Sequence, residues 1–324
     1  IWRIFNLGSR IDSVAFDPSD EETIYAGTNG LYRSEDRGTT WKLIWPDPET
    51  IVRKQVRGDH AGVSFVTEGD YPGGRAKLIR VDPDDSNRIY VGFDEKPQLY
   101  TSEDGGVSWS TLRTFPGRRF HRLFLDPNSP ADNRNLYVFT DMGLTVRIDG
   151  KWEESYSDFP AGPIRHVAGG FRYEDGNPVF VVVIPTQDRE GRLAGGVLRS
   201  TDGGRTWLDG NNGFPRVIDE SGSLRLPRLR DVACSEMFPD TLYIKIGDEL
   251  PYGQAHVVPG FIFNPPPTWD RTSGFYKSTD GGANWSCLQK WNWDLAPLGI
   301  DGGWSNSRFG TEYMQLGDLG VSHT

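Results

Sequence analysis

The sequence predicts an all-β fold, a β-propeller of four-stranded antiparallel blades. Three observations carry that prediction. A ten-residue turn motif recurs four times, a strand–Asp-Pro–strand pattern precedes it, and the 324 residues include 39 Gly, 22 Pro and 12% aromatics. Many short strands joined by tight turns need such a composition, and a recurring motif points to a repeat architecture.

The turn motif reads Ser-x-Asp-x-Gly-x-Thr-Trp, with Ser or Asn also standing at the Thr position. Its copies place Ser34, Asp36, Gly38 and Trp41, then Ser102, Asp104, Gly106 and Trp109, in matching register. Ser200, Asp202, Gly204 and Trp207 form the third, and Ser278, Asp280, Gly282 and Trp285 the fourth. A worn copy runs from Val146 to Trp152. The Asp can accept backbone N–H bonds within its own turn, Gly takes a positive φ, and Ser and Thr hydroxyls add local bonds. The Trp opens the next strand and packs its ring between sheets. The motif is therefore a structural closure between two strands. None of the four carboxylates has a partner acid spaced for catalysis.

Upstream, Val14–Pro18 leads to Thr23–Gly27, Ile79–Pro83 to Arg88–Gly92, and Leu123–Pro127 to Asn135–Phe139. Each is a strand, an Asp-Pro turn and a second alternating strand. One unit thus reads strand A, Asp-Pro turn, strand B, variable loop, strand C, Asp turn, strand D. Radial stacking of such units protects sheet edges, which defines a propeller. The blades fall at about 10–46, 76–115, 119–156, 164–210 and 228–290, with a partial one from 298, all within one propeller spanning 1–324. Trp2-Arg3-Ile4-Phe5 repeats the Trp plus strand D, and the chain stops inside a blade. The ends read as a fragment of a longer chain, or alternatively as a ring closed by the N-terminal strand.

Charge narrows the partners. With 35 Lys+Arg against 45 Asp+Glu, the net charge is −10, which excludes a phosphate-backbone partner such as nucleic acid. A glycan or a cationic partner remains. Cys234 and Cys287 lack metal spacing and read as two unpaired buried thiols, with a single bridge between neighbouring blades as the alternative. The five histidines, at 60, 121, 166, 256 and 323, show no ligand spacing, so neither metal nor cofactor is expected. The most apolar run, Val179–Ile184, is strand-sized, so no membrane span is predicted.

In an A-B-C-D meander the Asp-Pro and Asp turns share one edge, and the B–C loops lie on the other, where function is expected. Acidic residues follow strand B there, at Asp94, Asp141, Asp188 and Asp248. Asp141, Asp188 and Asp248 are the candidate catalytic carboxylates, able to act as acid and base about a glycosidic bond or to bind a cation. Solvated loop chemistry is the bland alternative. Tyr252, Trp269, Trp291, Trp293, Trp304 and Arg189 are the candidate substrate contacts, since aromatic platforms beside carboxylates suit sugar rings. The same rings could instead form a small core of the 247–273 insertion.

The turns at Asp36, Asp104, Asp202 and Asp280 resemble the Asp-box, or bacterial neuraminidase repeat, of sialidase-like propellers, and the resemblance covers essentially the whole chain. That superfamily includes sialidases, xyloglucanase-type glycoside hydrolases and sortilin-type receptors. Arg3-Ile4-Phe5 departs from the Arg-Ile-Pro segment of sialidases, so sialidase activity is not implied. Tyr25–Arg33 looks like the first blade of xyloglucanase-type hydrolases. There an Asp follows the Thr, which would make it a catalytic carboxylate; here Asn29 stands in that place and cannot act as acid or base. Thr140-Asp141-Met142-Gly143 has the matching chemistry in a later blade. The resemblance implies a secreted or cell-surface propeller that acts on or binds a polysaccharide or oligosaccharide. Resemblance to sortilin-type receptors implies the alternative, a non-catalytic scaffold for a peptide or protein.

Overall fold

Short strands that alternate apolar residues bury both of their faces only when a second sheet packs on each side. The computed structural model describes residues 7, 9–56, 62–69, 71–94, 97–115, 117, 119–153, 159, 163–184, 196–218, 224–226, 229–246 and 274–290. Among these it forms five four-stranded antiparallel sheets and two two-stranded ones, with two 3-10 turns. Four-stranded meanders in sequence order are propeller blades, and the fold is an all-β propeller. No helix among the described residues is long and apolar enough to cross a membrane.

The chain divides into two compact units, Ile1–Glu154 and Ser155–Thr324. In the first unit, blade one comprises β1 (Ser13–Phe16), β2 (Ile24–Gly27), β3 (Leu31–Ser34) and β4 (Lys42–Trp45). A hairpin of β5 (Ile51–Val56) and β6 (Val63–Thr67) follows. Blade two comprises β7 (Ala76–Asp82), β8 (Asp85–Phe93), β9 (Gln98–Ser102) and β10 (Ser110–Thr114). Blade three comprises β11 (Phe120–Leu125), β12 (Leu136–Thr140), β13 (Gly143–Ile148) and β14 (Lys151–Glu153).

Blade two shows why the alternation matters. Ile79, Val81, Ile89, Val91 and Phe93 pack with Tyr25, Leu31 and Trp45 of blade one. Leu78, Tyr90 and Leu99, on its other face, pack with Phe120, Leu123, Leu136 and Val138 of blade three. Neighbouring blades also bond directly, Ser13 Oγ donating to Ala76 O at 2.6 Å. At the Asp-Pro edge, Arg134 forks onto Asp82, with Nε–Oδ2 at 2.8 Å and Nη2–Oδ1 at 2.5 Å. Both side chains are fully buried. The hydrogen bond to Asp82 holds the guanidinium proton above its ordinary affinity.

The second unit contains β15 (His166–Phe171), β16 (Pro178–Ile184), β17 (Gly196–Ser200) and β18 (Leu208–Asp209) as one blade. A short pair, β19 (Val217–Ile218) and β20 (Leu224–Arg225), precedes the next. That blade is β21 (Leu229–Cys234), β22 (Leu242–Ile246), β23 (Gly274–Ser278) and β24 (Ser286–Lys290). The apolar run Val179–Val183 is wholly buried as an inner strand, with Val181 and Val183 facing Leu242, Ile244 and Ile246. Arg172 and Asp240 repeat the forked pairing, at 2.6 and 2.9 Å.

The four Asp turns share one hydrogen-bond pattern. In the second, Ser102 Oγ donates to Asp104 Oδ1 at 2.8 Å and Gly106 N donates to Ser102 Oγ at 2.8 Å. Ser108 N and Oγ then bond the two carboxylate oxygens at 2.8 and 2.5 Å. Thr40, Thr206 and Asn284 fill the Ser108 role in the other copies. These bonds, that from the Ser108 hydroxyl first, pull the Asp104 carboxyl down to about 2. Asp36 is lowered too, first by the Thr40 amide. At Asp202 and Asp280 burial opposes the same shift and is outweighed by bonds from Thr206 and Asn284. Two successive residues take positive φ in each turn: Gly105 and Gly106 at 71° and 90°, but Arg37 and Gly38 at 55° and 78°.

The structure fills in the worn copy and corrects the reading of the cysteines. The worn copy at 146–152 is a two-residue hairpin, Asp149 and Gly150 both at positive φ between the paired Ile148 and Lys151. Trp152 still packs, edge-on to Phe115 at 5.4 Å. The cysteines form no disulfide, yet they are not both buried: Cys287 is exposed and Cys234 half-buried. The reason lies in position, because Cys287 sits on β24, the strand farthest from the inner edge of its sheet. The 47–75 stretch links blades one and two. It carries the β5–β6 hairpin, which borders the site described next. The partial blade expected from 298, and Trp2, lie outside the described residues.

Candidate functional site

The short B–C loop of blade one is shaped by Thr28, whose N–H donates to Gly30 O at 2.8 Å while its hydroxyl accepts from Gly30 N at 3.2 Å. That leaves Asn29 at the apex, facing the hairpin. Its Nδ2 donates to Val63 O at 2.9 Å, and its carbonyl oxygen accepts from the Tyr71 hydroxyl at 2.5 Å. The amide at this position thus pins β6 to the blade.

Across from it, Asp94 follows β8 directly. Its N–H donates to Arg75 O at 3.2 Å, and its Oδ1 accepts from Arg75 N at 2.8 Å. Asp141 repeats this clasp in blade three: its N–H donates to Arg119 O at 3.1 Å and its Oδ1 accepts from Arg119 N at 3.3 Å. A carboxylate after strand B therefore zips shut the open end of strands A and B.

Beneath this edge sits Asp12, whose side chain is only 1% exposed. Lys77 Nζ donates to Oδ1 at 2.6 Å, Arg10 approaches the same oxygen at 3.1 Å, and Arg75 Nη1 lies 3.6 Å from Oδ2. Three cations around one buried carboxylate leave a local positive excess, tempered by Asp94.

Asn29, Arg75 and Asp94 border a cleft of about 620 Å³, which Gln55, Ser64, Phe65 and Tyr71 also line. Its size suits a small-molecule or oligomer subsite. Amides, a hydroxyl, a guanidinium and a carboxylate face two aromatic rings. Asp94 is the one carboxylate among the described lining residues.

Of the residues singled out from sequence, the structure describes Asn29 and Asp94, both lining this cleft, Asp141, on blade three, and the four Asp turns. Asp188, Arg189, Asp248, Tyr252, Trp269, Trp291, Trp293 and Trp304 lie outside the described residues. Sequence reading missed Tyr71, Arg75, Asp12 and Lys77. The signal for the hairpin was present, since Ile51–Val56 and Val63–Thr67 are β-rich runs. The Asp94–Arg75 pairing carries no local signature. No cluster of metal-ligating side chains occurs among the described residues.

The chain as a whole is similar to known proteins. A xyloglucanase, Xgh74A of Acetivibrio thermocellus, is 29% identical over 224 residues, 62% of this chain and 25% of that protein. Its curated relatives are xyloglucanases. One from Hypocrea jecorina is 33% identical over 117 residues, 32% of this chain and 12% of that protein. An oligoxyloglucan-reducing end-specific xyloglucanase of Emericella nidulans is 23% identical over 328 residues, 91% of this chain and 36% of that protein. The chain thus spans about a quarter of the length of the first of these xyloglucanases and about a third of the last. Among solved structures, the Niastella koreensis GH74 enzyme superposes with a TM-score of 0.54 at 14% identity, covering 86% of this chain and 38% of that one. An ancestral GH74 enzyme gives 0.51 at 17% identity, covering 89% and 35%. At such identities the structural likeness speaks for the fold. No family model matches the chain.

Proposed function

We propose that this chain is a carbohydrate-acting propeller module that binds a xyloglucan-type polysaccharide across the B–C edge of its first two blades. The similarity to xyloglucanases carries the reading, and the chemistry of the Asn29–Asp94 cleft supports it. A sugar ring offers an apolar C–H face and a rim of hydroxyls. Tyr71 and Phe65 suit the first, while Asn29, Gln55, Ser64, Arg75 and Asp94 suit the second.

Hydrolysis by the usual route needs two carboxylates flanking the scissile bond. Asn29 supplies neither, and Asp94 stands alone among the described lining residues, so this cleft by itself is a binding subsite. Turnover requires further acids, for which Asp141, Asp188 and Asp248 are the proposed sources. Tyr252, Trp269, Trp291, Trp293, Trp304 and Arg189 are the proposed sugar contacts beyond the cleft. Because such polysaccharides lie outside cells, the protein is proposed to act in an extracellular or cell-surface setting.

The test is affinity electrophoresis through gels holding xyloglucan, mannan or no polysaccharide, paired with reducing-end release. Retardation in xyloglucan alone is the expected result, and release abolished by Asp141→Asn or Asp248→Asn would make the module catalytic. Unretarded migration in every gel would overturn the reading and favour a peptide-binding scaffold.

A further inference from the structure

Tyr71 lines a second cleft as well, of about 660 Å³, bordered by the outer strands of blades one and two. Its wall is aromatic for an identifiable reason. In the first and third Asp turns the Trp ring donates Nε1 to the Gly carbonyl of its own turn, Trp41 to Gly38 at 3.2 Å and Trp207 to Gly204 at 3.1 Å. Trp285 reaches Gly210 O at 2.9 Å instead. Trp109 does neither: its Nε1 is buried and has no hydrogen-bond partner. The ring is held by stacking on Trp45, centroids 4.6 Å apart and planes within 6°. Tyr71 meets Trp45 edge-on at 5.7 Å. Placing Trp109 here forgoes a hydrogen bond that its counterparts make, and yields a continuous aromatic wall from Trp109 to Tyr71.

Polar groups border the same cleft. Glu68 and Thr111 are exposed beside it, while the Gln98 amide is already bonded to Thr114 and Tyr100. An aromatic wall with the Glu68 carboxylate and the Thr111 hydroxyl at its margin suits a hydroxyl-rich ring better than an apolar segment, which would cover those groups without pairing them. Its volume falls in the ~300–1,000 Å³ range of ligand sites. Tyr71 lines both this cleft and the Asn29 cleft.

We propose that this rim cleft is a second sugar-binding subsite, receiving pyranose units of the same polysaccharide chain that occupies the Asn29 cleft and passes over Tyr71. The inference rests on the carbohydrate reading above. Calorimetric titration of the full chain with xyloglucan oligosaccharides of one repeat unit and of several units separates the two. Wild type should bind the longer ligands more tightly. Thr111→Arg, which obstructs the rim cleft, and Glu68→Ala should each weaken the longer ligand by about tenfold, roughly 1.4 kcal/mol, and leave the one-unit ligand within about twofold. Thr111→Ser, which keeps the hydroxyl, should match wild type, and unchanged melting curves should accompany all three. Equal loss on short and long ligands, or no loss on either, overturns the rim subsite while the carbohydrate reading stands. Wild type that binds neither ligand overturns both.

Discussion

Asn29 donates its side-chain amide to the carbonyl oxygen of Val63 at 2.9 Å, linking the apex of a blade loop to the β6 strand of the neighbouring hairpin. A carboxylate cannot make that bond. Asn29→Asp removes the donor and sets a negative oxygen against a carbonyl, a local cost of about 1–3 kcal/mol. Amide hydrogen exchange in residues 51–56 and 62–67 should quicken in this variant, with the blade strands unaffected. Unaltered exchange in the hairpin would show that the Tyr71 contact suffices to hold it.

The Asp turns predict an acid limit. Asp104 sits at about 2 in the folded chain, first through the Ser108 hydroxyl and then the Ser108 amide, against an unfolded value near ~3.9. A lowered carboxyl stabilises the fold above the unfolded value and loses that contribution as pH falls through the folded one. Asp36, Asp202 and Asp280 shift in the same direction. Melting temperature should therefore be flat above about pH 5 and fall steeply between about pH 4 and pH 2. Asp104→Asn should flatten part of that slope.

Arg37 occupies a left-handed position, φ 55°, that the other three turns give to Gly105, Gly203 and Gly281. A side chain there costs about 1–2 kcal/mol, partly offset by the entropy that Gly loses on folding. Arg37→Gly should stabilise the chain by about 0.5–1 kcal/mol in denaturant titration, despite losing exposed contacts to Glu21 and Glu22. A destabilised variant would mean those surface pairs outweigh backbone strain.

The Arg134–Asp82 pair is fully buried. Asp82→Asn removes its charge and leaves the buried guanidinium with only the exposed Asp84 as counter-charge, for an expected loss of about 3–5 kcal/mol. Asp84, which reaches the same guanidinium at 2.6 Å, is 59% exposed, and Asp84→Asn should cost under about 1 kcal/mol. Comparing the two denaturation midpoints checks the ranking. Equal effects would refute the weight placed on burial.

The repeat made the all-β propeller fold legible because its chemistry is local: in each copy Ser, Asp, Gly and the residue before the Trp bond one another. Period-two alternation then told which residues face a neighbouring blade, as Leu78 and Ile79 on opposite sides of β7 show. The Asn29 cleft was less legible. Its walls come from Asn29, Tyr71, Arg75 and Asp94, and residues 19 to 42 positions apart meet there through bonds to the backbone that leave no motif. The indole of Trp109 illustrates the same limit, since its sequence setting matches Trp41 yet Trp45, on another blade, decides where the ring rests.

The backbone clasps made by Asp94 and Asp141 carry a consequence for engineering. Each fastens the end of strands A and B behind its loop, so the loop beyond is not what keeps the blade shut. A foreign segment spliced after Asp141, between it and Gly143, should be carried as cargo with the blade still zipped. Cutting the clasp by Asp141→Ala should make the same insertion peel the strands apart. Together the two carboxylates turn this edge into a pair of ready-made sockets for new loops.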